Sequence, residues 1–181
     1  MSMVPYKITI CGLTELCLHG EAGITHVLTI LDPDHPDPDD FRAYPPHRRT
    51  VWRYHDIVAE KDEMVAPQAA DVSAILAFGA QTSGIDHLLI HCHMGISRST
   101  ATAVILMAQS NPGQEEAAFA ELRRIRPRSW PNSRMIGFAD RLLERNGALV
   151  AAMKGHHATV AAAEPGLADL LRQSERAGEV P

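Results

Sequence analysis

The sequence predicts an α/β fold with a mostly parallel central sheet flanked by helices, and three observations carry that reading. Short apolar runs alternate with helical patterns along the chain. The run HLLIH at 87–91 reads as a strand buried on both faces, as strands of parallel sheets are. That strand leads through a loop holding Gly and Ser into the apolar segment TATAVILMA, which is helix-like on nearly all faces and therefore central. The 181 residues, 45% apolar and 22% charged, suffice for one domain with its own core.

Residues 7–10 (KITI) and 26–31 (HVLTIL) read as strands, and the stretch between them suits a short helix ending near Gly20 or Gly23. Residues 32–40 hold five Asp and three Pro, a composition that reads as a solvated surface loop. A calcium loop is the sharper alternative, but the prolines and the missing central Gly argue against it. VWRY at 51–54 is a further strand, followed by the charged run HDIVAEKDE. Pro67 opens a helix with Val72, Ile75, Leu76 and Gly79 on one face.

Beyond the central helix, Asn111-Pro112-Gly113 breaks the chain. The next helix begins with Glu115 and Glu116 and ends with Arg123 and Arg124, matching the helix dipole, and Pro127 stops it. A last core helix places Met135, Phe138, Ala139 and Leu142 on one face and ends near Asn146-Gly147. The domain organisation expected is therefore a main domain over 1–147. An Ala-rich tail over 148–181, helical or partly disordered, is expected to attach loosely.

The net charge of −5 and pI near 6.0 argue against bulk nucleic-acid or membrane-surface binding. No apolar run approaches the length of a membrane span. The N-terminal stretch lacks the layout of a signal peptide. Three cysteines, Cys11, Cys17 and Cys92, are too few for a disulfide scaffold, and a cytoplasmic setting is expected. There, a cysteine near a histidine and an arginine is a candidate nucleophile.

The informative segment is HCHMGISRS, residues 91–99. Cys92 stands at the carboxyl end of the buried strand, the edge at which open parallel sheets bind ligands. Arg98 stands six positions on, at the start of the helix. The five residues between, His93, Met94, Gly95, Ile96 and Ser97, can fold around one tetrahedral anion. Their N–H groups then point inward and the helix N-terminus adds positive potential. Gly95 permits a backbone angle that a Cβ would forbid. Arg98 can hold two oxygens of the anion at once, and the same field favours a thiolate at Cys92.

Blander readings stand beside this one. A cysteine after an apolar strand is usually a core thiol. His91 and His93 flank Cys92 but, on a strand, point to the face opposite to it, and no second cysteine pair is spaced for zinc, so no metal and no other cofactor is expected. Cys11 and Cys17 read as core or helix-face residues, with a redox partner for Cys92 the lesser alternative.

Strand, Cys-x5-Arg-Ser and helix together resemble the signature loop of the cysteine-dependent protein tyrosine phosphatase superfamily, in its small dual-specificity-like branch. The resemblance covers about residues 5–147. An Asp upstream after a strand and the segment RPRSWPNSRMIGFAD fit in the family's order. The wording YHDI and the layout are similar to short bacterial tyrosine phosphatases. The resemblance implies Cys92 as nucleophile, Arg98 as phosphate ligand and Ser99 as hydrogen-bond donor to the sulfur. It also implies Asp56 as general acid, His91 as an orienting residue and Asn132 as a buttress of the loop.

The implied activity is metal-independent hydrolysis of phosphate monoesters through a cysteinyl-phosphate, with phosphotyrosine in proteins the leading substrate. Phosphate, sulfate or vanadate is expected to bind the loop. The loop contains no Lys, which disfavours polyphosphorylated inositol headgroups. His93 and Met94 are expected at the floor or mouth of the pocket. Five Arg between 123 and 134 favour acidic substrates or form a solvated helix end. His55 and Ile57 beside Asp56 are expected to raise its pKa toward a useful value. Three alternatives remain open at this point: a small phosphate ester as substrate, a phosphate-binding module of weak activity, and a thiol redox enzyme such as an arsenate reductase.

Overall fold

Strands β1 (Lys7–Cys11), β2 (His26–Leu31), β3 (Arg48–Arg53) and β4 (His87–His91) form one sheet in the order β1-β4-β2-β3. Every pairing is parallel. The structure is a computed structural model and describes residues 3–181. The helices are α1 (Ala69–Gly79), α2 (Arg98–Ser110), α3 (Glu115–Ile125), α4 (Ser133–Leu142), α5 (Ala148–Ala163) and α6 (Pro165–Arg172). Short 3₁₀ segments cover Leu13–His19, Asp39–Ala43 and Ala177–Glu179. The expected α/β sandwich is the fold observed.

Successive strand residues point to opposite faces, and the core divides accordingly. Leu28, Ile30, Leu88 and Ile90 join Val72, Ile75, Val104, Met135 and Ile136 in the larger core under the helices. Val27, Leu89 and Cys11 face the other way, against Leu16 and Phe41 of the first two 3₁₀ segments and Tyr44 just after the second. The short helix expected after β1 is thus the 3₁₀ turn Leu13–His19. Helix α2 is buried from Arg98 to Ala108, as its all-round apolar pattern requires.

Strand β3 begins three residues before the apolar run that signals it. Its first half, Arg48–Thr50, is polar and becomes a strand through pairing with His26–Leu28. It is an edge strand, and its arginines discourage pairing with another chain.

Residues 148–181 pack more closely than their composition suggests. Helix α5 contacts α3 and α4 and buries Leu149, Met153, His156, His157 and Val160. Trp130 gathers Val160, Leu167 and Leu171 into a third apolar cluster. His157 lies flat on the Trp130 indole, with ring centroids 4.0 Å apart and planes 6° apart. The adjacent histidines read as polar in sequence, which hid this buried stripe. Among the described residues no helix is long and apolar enough to cross a membrane.

Those histidines make stability depend on pH. His91, His156 and His157 are at most 1% exposed, and burial pushes their pKa values down to about 4, 4 and 3. The tautomer of His156 agrees with neutrality: Nδ1 accepts from Arg123 Nη1, and Nε2 donates to the Ser129 carbonyl, each at 3.2 Å. Each histidine stays neutral when folded and takes up a proton on unfolding. The stability it secures is whole above about pH 6.5 and is lost as pH falls toward about 4. The melting temperature is expected to drop through that window, and His157→Phe, which retains the stack, to flatten part of the slope. A constant melting temperature between those limits would contradict this.

Candidate active site

The carboxyl ends of all four strands converge on one edge of the sheet. They deliver Gly12 after β1, Asp32 after β2, Tyr54 to Asp56 after β3, and Cys92 after β4. Cys92 is 2% exposed, and its Sγ lies 3.2 Å from Ser99 Oγ in the first turn of α2. Neighbouring His91 is fixed by a 2.8 Å hydrogen bond between Nε2 and Thr29 Oγ1 on β2. It orients the end of β4 as a neutral ring.

The loop 93–97 turns at Gly95, whose φ is 67°. A Cβ there would sit 2.5 Å from the Cys11 carbonyl carbon, and one on Gly12 would sit 2.9 Å from the His93 oxygen. Two glycines therefore let the loop press against the end of β1, where Leu13 N–H donates to His93 O at 2.9 Å. Within the described residues, no backbone N–H of 93–97 donates a hydrogen bond. A run of unpaired donors at a helix N-terminus is an anion cradle.

Arg98 is 3% exposed and held from one corner. Its Nη1 donates to Asp32 Oδ1 and to the Tyr54 carbonyl, each at 2.6 Å. Its Nε is buried with no partner among the described residues. One corner of the guanidinium is anchored by protein, while Nε is left without an acceptor.

Asp56 lies beside this loop. Its Oδ1 accepts from Ser97 Oγ at 2.7 Å and from Asn132 Nδ2 at 2.9 Å. Burial alone would raise its pKa. The charges of Arg176 and Arg98, with hydrogen bonds from Ser97 and Asn132, outweigh that and hold the carboxyl below the usual carboxylate range. The upward shift expected from His55 and Ile57 is therefore corrected to a downward one. Asn132 caps α4 by accepting from Met135 N–H. Its amide also donates to Ile57 O, so it buttresses the Asp56 turn rather than the loop 93–97 directly.

Three residues enter the site without having been singled out. Asp32, grouped with a surface loop in the sequence, pairs with Arg98 and stands 3.5 Å from His93 Nε2. Its place directly after β2 was the available signal, since ligand sites gather at such strand ends. Arg126 donates through Nε to Gly95 O at 3.0 Å and through Nη2 to Met94 O at 3.2 Å. Its fork also holds Glu15 at 2.8 Å on both oxygens. It braces the loop, whereas Arg124 pairs with Glu121 on the surface. Arg176 reaches Ser97 from the C-terminal segment, and nothing local in the sequence marks Arg126 or Arg176. Met94, in the loop 93–97, is 67% exposed.

No family model and no curated protein matches the sequence. Solved structures do match. Human DUSP28 aligns with a TM-score of 0.57 at 18% identity, over 78% of this chain and 94% of that one. DUSP15 aligns at 0.55 and 17%, over 86% and 93%. PTPMT1 in complex with PI(5)P aligns at 0.53 and 12%, over 78% and 93%. The chain has the fold of the dual-specificity and protein tyrosine phosphatases.

Within this phosphatase fold Cys11 and Cys92 belong to different core clusters. Cys11 lies in the core on the opposite face of the sheet, and burial pushes its thiol up to about 12. Cys17 is exposed, and all three cysteines are free.

Proposed function

We propose that the chain hydrolyses phosphate monoesters without a metal, through a cysteinyl-phosphate on Cys92, and that its substrate is phosphotyrosine in proteins. The observation that carries the reading is the set of undonated N–H groups over residues 93–97, in the loop that joins Cys92 to the N-terminus of α2. The partnerless Nε of Arg98 completes the cradle. Such a site supplies in fixed dipoles and one guanidinium the charge that phosphoryl transfer requires.

In the first step Cys92 Sγ attacks phosphorus and the bond to the tyrosyl oxygen breaks. That oxygen takes the proton of Asp56. In the second step water attacks phosphorus and gives its proton to Asp56. The sulfur–phosphorus bond breaks, and the Ser99 hydroxyl, 3.2 Å from the sulfur, donates to the departing thiolate. His91, Asn132 and Arg126 hold these groups in place.

Asp32 and Asp56 set two carboxylates beside a phosphate site whose loop contains no lysine. That charge pattern disfavours headgroups carrying several phosphates. The exposed Met94 offers an apolar rim to an aromatic ring. Free cysteines fit a reducing, cytoplasmic setting. Burial of the Cys11 thiol, which pushes it up to about 12, argues against a thiol relay. One observation favours a second reading, a phosphate-binding module of weak activity: Asp56 is held in its charged form, unable to donate a proton until it is protonated.

A panel of phosphotyrosine and phosphoserine peptides, inositol phosphates and nucleotides separates these readings. The highest kcat/KM is expected for a phosphotyrosine peptide, by at least about tenfold, or about 1.4 kcal/mol. A higher value for an inositol phosphate or nucleotide would move the substrate to small esters. Tight peptide binding without turnover would favour the binding module.

A further inference from the structure

We propose that the C-terminal segment is a working part of the site, with Arg176 as a positioning residue that holds Asp56 through Ser97 and by its own charge. The proposal rests on Asp56 as the proton donor.

Arg176 lies past α6, in a segment that returns to the mouth of the loop 93–97. It is 8% exposed, and burying a guanidinium is unfavourable unless its donors and charge are met. They are met by the site on one side and by Glu179 on the other. Nη1 donates to Ser97 Oγ at 2.7 Å, and Ser97 Oγ in turn donates to Asp56 Oδ1 at 2.7 Å. The same nitrogen stands 3.8 Å from that carboxylate oxygen. Nη2 reaches the carbonyls of Trp130 and Pro131 at 3.4 Å, and Trp130 N–H donates to Ile96 O at 2.7 Å. Arg176 therefore grips both the loop and the strand of chain that clamps it.

The rest of the segment braces this arrangement. Glu179 accepts from Arg176 Nε at 2.6 Å and from the Trp130 indole at 3.1 Å. Glu175 pairs with Lys61 at 2.5 Å, both lining a pocket of about 290 Å³ between the 56–61 turn and residues 175–176. A segment that merely covered apolar surface would need none of these polar contacts. The position of Arg176 determines how strongly Asp56 is held as a carboxylate. The other charges near Asp56 are Arg98 at the head of α2, His93 in the loop, and Glu60, Lys61 and Glu175 around the cavity. The buried Tyr54 hydroxyl is a further titratable group within its field. Glu60 is paired with Arg134, and Lys61 with Glu175. Arg176 is shared between Glu179 and Asp56.

The test is the pH dependence of kcat/KM for phenyl phosphate in the full chain, since its basic limb reports the proton donor of the free enzyme. Arg176→Gln is expected to move that limb to higher pH by about one unit or more, and Arg176→Lys to leave it nearer the wild-type position. Glu179→Gln, which frees the Arg176 charge toward Asp56, is expected to move it the opposite way. An unmoved limb in a folded Arg176→Gln variant, or movement in the same direction in both, would overturn the proposal. If Arg176→Gln does not fold, an unmoved limb in Glu179→Gln overturns it alone. Asp56→Asn separates the two levels: a basic limb that survives that change removes Asp56 as the donor, whatever Arg176 does.

Discussion

Cys92→Ser is expected to abolish turnover, by at least about 10⁴-fold, which is more than about 5 kcal/mol in the barrier, while vanadate or sulfate still binds. Serine places an oxygen where the sulfur stands, but its hydroxyl is too weak an acid for a helix N-terminus and one guanidinium to ionise. It would also leave phosphorus poorly in the second step. The oxyanion cradle is untouched by the exchange, because it consists of backbone N–H groups over 93–97 and of Arg98, whose Nη1 remains fixed by Asp32 and Tyr54 O. Steady-state kinetics and calorimetric binding of the oxyanions read the two halves separately. Near-wild-type hydrolysis by the serine variant would remove Cys92 from the chemistry. Full activity is expected after treatment with a chelator, and dependence on added zinc or magnesium would count against a metal-free reaction.

Asp56→Asn is expected to slow phenyl phosphate by about 10²–10⁴ and an ester with a very acidic phenol far less. The donor matters only when the leaving oxygen needs its proton. Because Arg176, Arg98, Ser97 and Asn132 hold the Asp56 carboxyl low, its protonated fraction shrinks as pH rises from below the ordinary carboxylate range. The wild-type rate on phenyl phosphate is therefore expected to fall from acid pH upward, and Asp56→Asn to erase that fall. Equal losses on both esters would shift the role to another carboxylate. Asp32 is then the first to test, since it already touches Arg98 and stands near His93.

Much of the fold and the heart of the site were legible in the sequence for one physical reason: their determinants are local. Strands β1, β2 and β4 announce themselves as contiguous apolar runs. The loop 91–99 carries the proposed nucleophile, a glycine, an arginine and a serine within one strand–loop–helix unit, so spacing alone brings them together. Strand β3 shows the limit, because Arg48–Thr50 has no strand signal apart from its register with β2. The direction of the Asp56 shift shows it more sharply. His55 and Ile57 are its neighbours in sequence and suggest an apolar setting. Its neighbours in space are Ser97, Asn132, Arg98 and Arg176, drawn from three distant parts of the chain. The burial of residues 148–181 was hidden similarly, since alanines and paired histidines look solvent-facing until Trp130 is placed against them.

The central claim is a covalent phosphoryl-cysteine, and the most direct measurement is acid quenching of the enzyme during turnover of a phosphoryl-labelled aryl ester, followed by peptide mapping. The label is expected on Cys92 alone, appearing and decaying at rates that account for kcat, and absent from Cys92→Ala. Label on His91, His93 or any other side chain, or steady turnover with no labelled protein at any quench time, would contradict it.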